Sequence, residues 1–137
     1  MLRALPLCLV AVAAVPLTEW KAHHPEAAQS LREWARKDAQ AARKVFAWDG
    51  LHPERTKALV DWARSNPRDD VLAFHTKHQD WPEFQELLDK HRDALNGFVA
   101  WVRQNPDAAK GLMEHPRGLE WAGKNVVAPK AGQARSR

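Results

Sequence analysis

The run His52-Pro53-Glu54-Arg55-Thr56-Lys57-Ala58-Leu59-Val60-Asp61-Trp62-Ala63-Arg64-Ser65-Asn66-Pro67-Arg68-Asp69 holds one whole helix and the start signal of the next. Proline fixes φ near the helical value, and its missing N–H costs nothing in a first helical turn. Glu54, just behind Pro53, faces the positive end of the helix dipole. Leu59, Trp62 and Ala63 give the segment an inward side. The link at Asn66-Pro67 is too short for anything but a sharp helix–helix corner. Asn66 is the expected N-cap of a helix that runs to about His78, with Val71, Leu72 and Phe74 inward.

The same punctuation recurs in both directions. His24-Pro25-Glu26 and Trp81-Pro82-Glu83 repeat the first start signal, Asn105-Pro106-Asp107 repeats the second, and Pro116 opens a last short piece. No breaker lies between Pro25 and Gly50, so the stripe of Ala28, Leu31, Ala35, Ala42 and Phe46 predicts one long helix from about Glu26 to Trp48. Asp49-Gly50 would end it through a left-handed glycine. Asp80 and Glu83 resemble a capping box. The second long helix they open carries Phe84, Leu87, Leu88, His91, Leu95, Phe98, Val99 and Val102 on one stripe, with Gly97 as its weak point. The expectation is all-α: about six helices, two long and four short, packed as helical hairpins in one small domain over residues 15–127. Pro25 and Val45 fall on Pro82 and Val102 at a shift of 57, whereas His24-Pro25-Glu26 falls on His52-Pro53-Glu54 at a shift of 28. The two periods together suggest a loose duplication of a three-helix unit.

The ends read differently from this body. Residues 1–14 form an expected signal peptide, with Arg3, an apolar run too short for a permanent span, and the small-x-small site Ala11-Val12-Ala13. That predicts a periplasmic or secreted protein with no integral span after cleavage. Cys8 is the only cysteine and lies in the signal, so the mature chain would have no disulfide, no Cys-ligated metal and no covalent haem. Residues 128–137 are small and basic, an expected disordered tail. The net charge of +4 resides at these ends. With Arg3, Lys124, Lys130, Arg135 and Arg137 set aside, the 21 basic residues fall to 16 against 17 acidic ones. Nucleic-acid binding needs a basic stripe on a folded face, and none is legible.

Tryptophan is the compositional outlier, seven in 137 residues. Trp20, Trp34, Trp48 and Trp62 are spaced 14 apart, although Pro25 and Gly50 forbid one continuous helix. Large flat rings filling a thin core account for most of them. Trp20, upstream of the first firm helix start, and Trp81 are the expected partner-binding side chains. His75-x-x-His78 places two imidazoles on one helical face. With Glu86 from the next helix they form a candidate site for a transition metal, or alternatively for haem. His91 on the apolar stripe reads as a core histidine. Ser30, Ser65 and Ser136 lie outside any strand–turn–helix elbow, and no H-E-x-x-H or Gly-rich phosphate loop is present. The residues therefore point to an exported, non-enzymatic helical module that binds a protein or cell-envelope partner. Self-association through the two long stripes is a further possibility.

Overall fold

The computed structural model describes residues 16–127, which contain helices and no strand. The expected signal peptide (residues 1–14) and basic tail (128–137) lie outside that range. Eight helices follow one another: α1 (Leu17–His23), α2 (Pro25–Lys37), α3 (Ala39–Leu51), α4 (Pro53–Ser65), α5 (Val71–Lys77), α6 (Pro82–Gln104), α7 (Pro106–Met113) and α8 (Gly118–Ala122). A π-helical turn, Gly123–Val127, continues α8. The all-α expectation holds, while the count of about six gives way to eight.

The extra helices have a local cause. The first four helices are joined by single residues, His24, Asp38, His52 and Asn66 at the end of α4, each with φ between −128° and −150° and ψ between 62° and 86°. Three of the four precede proline, which excludes the helical region for the residue before it. Asp38 precedes Ala39 instead and breaks the predicted long helix by capping: its carboxylate accepts the Ala41 N–H at 3.1 Å. The joints recur every 14 residues. The shift of 28 is two such units and the shift of 57 is four units and one residue, so a helix-and-joint unit of 14 underlies both.

Several expected caps work in the opposite direction. Asn66 and Asn105 do not cap the helices after them; their side-chain amides donate backwards to the carbonyls of Trp62 and Trp101, at 2.9 and 3.0 Å. Asn125 does the same to Trp121 at 2.9 Å. The helix after Asn66 starts only at Val71, where Asp70 accepts the Leu72 N–H at 2.9 Å. Trp81, not Asp80, precedes α6, no side chain caps it, and Glu83 turns to other partners. Gly50 keeps a negative φ inside α3, so the left-handed stop expected there is absent. Leu72 points outward.

Helix α6 is the central rod, packed by α2, α3, α4, α5 and α7. It bends at His91, whose φ of −139° and ψ of 41° leave the helical range. Indole N–H groups lace the other helices to it and to one another. Trp34 donates to the Ala94 carbonyl, Trp101 to Ala27 and Trp20 to Ala108, each at 2.9 Å. A buried indole with its N–H satisfied keeps its full hydrophobic area without an orphaned donor. Trp34 also sits against Phe46 and Phe98, with ring centroids 5.9 and 5.4 Å apart. An added Cβ at Gly97 would stand 3.0 Å from the Trp34 ring, so the glycine there admits the indole.

The C-terminal segment is held by a buried carboxylate. Asp49 has no solvent exposure. It accepts the Thr56 hydroxyl and, at 2.9 Å, the Glu120 N–H in the first turn of α8. It thereby caps a helix 71 residues away in sequence. Burial raises its pKa above the ordinary carboxylate range despite these hydrogen bonds. Arg103 performs the complementary task at α4, donating to the carbonyls of Ala63 (3.3 Å), Asn66 and Asp69 (2.8 Å) while its guanidinium lies over the Trp62 ring.

Candidate functional site

One face of α3, from Gln40 to Leu51, and the first half of α6 border a groove of about 390 Å3. Its position follows from two departures from helical geometry, the joint at His52 and the bend at His91, both of which line it. Trp48 and Leu87 supply apolar walls, and both are buried. Leu51, beside Trp48, is 78% exposed, the more exposed of the two large apolar side chains that stand out among the described residues.

The groove's polar rim divides into engaged and unengaged groups. Glu83 accepts the Arg55 guanidinium at 2.5 Å and the Trp48 indole N–H at 3.1 Å. Partial burial pushes the Glu83 pKa up, but the hydrogen bonds from Arg55 and Trp48 outweigh it and the net direction is down. Glu86 pairs with Lys90 at 3.1 Å, both well exposed. Lys44 has no acidic partner, and neither His52 nor His91 has a side-chain hydrogen bond, among the described residues.

Two other clefts are built by the same device. One of about 580 Å3 runs between α2 and α6 past Asp38, and one of about 300 Å3 lies where His24 and Asn105 face each other. The larger is walled by Trp34 and Trp101, whose N–H groups are already spent on backbone carbonyls, and its rim carries Glu33, Lys37, Asp38 and Asp93. Of the three, the α3–α6 groove is the one lined by an exposed large apolar side chain, Leu51.

The residues singled out by sequence fall elsewhere. Trp20 is 1% exposed, and its ring closes the junction of α1, α6 and α7. The expectation that it reaches a partner is therefore corrected: its N–H finds a backbone acceptor and its faces find Trp101 and His24. Trp81 is half-buried, stacked on His78 with centroids 4.0 Å apart and covered by the Arg55 guanidinium at 4.8 Å. Desolvation there lowers the His78 pKa. His75 turns toward Phe84, and its Nδ1 is buried without a hydrogen-bond partner. His75, His78 and Glu86 do not converge: among the described residues no three His, Cys, Asp or Glu side chains group as metal ligands. Glu86 instead lies on the rim of the groove, beside Lys90.

Leu51 and His52 were not legible as a site because the predicted helix stopped at Trp48, and Lys44 read only as part of that helix's polar side. The spacing of the tryptophans carried the missing signal, since each of Trp20, Trp48, Trp62 and Trp101 accepts, through its carbonyl, the N–H of the joint residue four positions on. No protein-family model, curated protein or solved structure matches this chain.

Proposed function

We propose that this protein is an exported, non-enzymatic helical module that docks a segment of a partner protein in the groove between α3 and α6. The exposed Leu51 at the mouth of that groove is the observation that carries the reading. An apolar side chain left in water beside buried apolar walls is a ready anchor for the apolar face of an incoming helix. The non-enzymatic part rests on how the acidic groups are used: Asp49 caps α8, Asp38 caps α3, Asp70 caps α5 and Glu83 holds Arg55. Export and placement in the cell envelope rest on the signal-like first 14 residues.

A photoreactive amino acid placed at position 51 tests the reading in cells, with the same substitution at exposed Asp61 on α4 as the control. A single discrete protein adduct from position 51 and none from position 61 is the expected result. Equal labelling from both positions, or none from either, contradicts it.

A further inference from the structure

We propose that the segment bound in the α3–α6 groove is an amphipathic helix with apolar anchors and carboxylates along its flank; this inference rests on the docking function proposed above. The argument is one of charge left over. Both acidic side chains on the groove's rim are already neutralised within the protein, Glu83 by Arg55 at 2.5 Å and Glu86 by Lys90 at 3.1 Å. The cationic side has no such compensation. Lys44, on the α3 wall, has no acidic partner among the described residues. The imidazoles of His52 and His91, on opposite walls, have no hydrogen-bond partner there either. Each can donate an N–H to an incoming oxygen.

An incoming carboxylate therefore meets an unpaired ammonium and two available N–H donors. An incoming lysine meets the like charge of Lys44 and carboxylates that already carry a cationic partner. Discrimination of this kind sets which partner docks and how fast, while the apolar anchor supplies the contact area. The concave form of the site, with Leu51 at its edge rather than on a flat face, fits a single rod better than a lipid surface.

Two synthetic amphipathic peptides with the same leucine face, one flanked by glutamate and one by lysine, separate the possibilities. Fluorescence anisotropy of each is followed against the full folded protein. The expected result is that the glutamate peptide binds at least about tenfold more tightly at low salt. Lys44→Glu should erase that preference, and Leu51→Asp should weaken both peptides. Both substitutions lie on exposed positions, so the fold is retained. Equal binding of the two peptides that is still weakened by Leu51→Asp would overturn the charge inference and leave the groove standing. Absence of binding, or binding indifferent to Leu51→Asp, would overturn the groove reading and this inference with it. Preferential capture by phosphatidylglycerol vesicles would overturn both in favour of a lipid surface.

Discussion

Asp49 and Leu51 stand two residues apart on the last turn of α3 and break the ordinary polarity pattern in opposite ways. The carboxylate is completely buried and the leucine is 78% exposed. Scattered exposed apolar residues are common, so an anomaly is informative only together with what surrounds it. Around Asp49 every oxygen is engaged, one by the Thr56 hydroxyl and the other by the Glu120 N–H. Around Leu51 lies a groove with unengaged polar groups. One face of the turn is therefore finished and holds the molecule together, and the other is unfinished and open to a partner.

The sharpest test of the finished side is Gly118→Ala. An added Cβ there would collide with the backbone carbonyl of Leu112, an atom that cannot step aside without moving α7. A loss of about 3 kcal/mol is expected, as for severe overpacking, read as a large fall in the chemical-denaturation midpoint. Asp49→Ala comes next. It strands the Glu120 N–H in the interior, at about 1–3 kcal/mol for such an unpaired group, while the Thr56 hydroxyl keeps the Pro53 carbonyl as an acceptor at 3.0 Å. The last helix should detach first, visible as selective loss of amide protection over residues 118–127.

A subtler effect comes from pH. Because burial raises the Asp49 pKa, the folded state holds that proton more tightly than the unfolded chain. The stabilisation is full below the ordinary aspartate value of about 3.9 and is lost as pH rises through the folded value. Stability of the native protein relative to Asp49→Asn should therefore decline as pH rises above about 4. A difference curve that is flat or rises would show that Asp49 is not held in this way. On the unfinished side, Leu51→Asp should change stability by less than about 0.5 kcal/mol, as at ordinary surface positions. A large loss there would mean that the leucine belongs to the core, and the contrast between the two residues would collapse.

Much of this architecture was legible in the residues, and what was not has a physical reason. Proline–acid pairs marked the starts of α2, α4 and α6 correctly, because a proline in the first turn acts through its own ring. The joint at Asp38 escaped notice because a capping aspartate looks the same in sequence as a solvated one within a helix. The helix after Asn105 begins at its proline as expected, whereas the one after Asn66 begins four residues beyond Pro67. Both asparagines were assigned the wrong direction, since an asparagine amide can donate back to the preceding turn as easily as its carbonyl can cap the next. Trp20 looked free because its acceptor, the Ala108 carbonyl, lies 88 residues away. The groove was hidden for a similar reason: it is formed where the joint after α3 and a bend in α6 meet, and periodicity within either helix cannot show that meeting.

The most direct test of the central claim is an amide chemical-shift map of the isotopically labelled protein titrated with the glutamate-flanked peptide. The account predicts shifts concentrated at Lys44, Leu51, His52, Leu87 and His91, with Asp49, Thr56 and the 118–127 segment unmoved. Shifts centred on the cleft beside Trp34 and Trp101, or spread over the C-terminal segment, would contradict it.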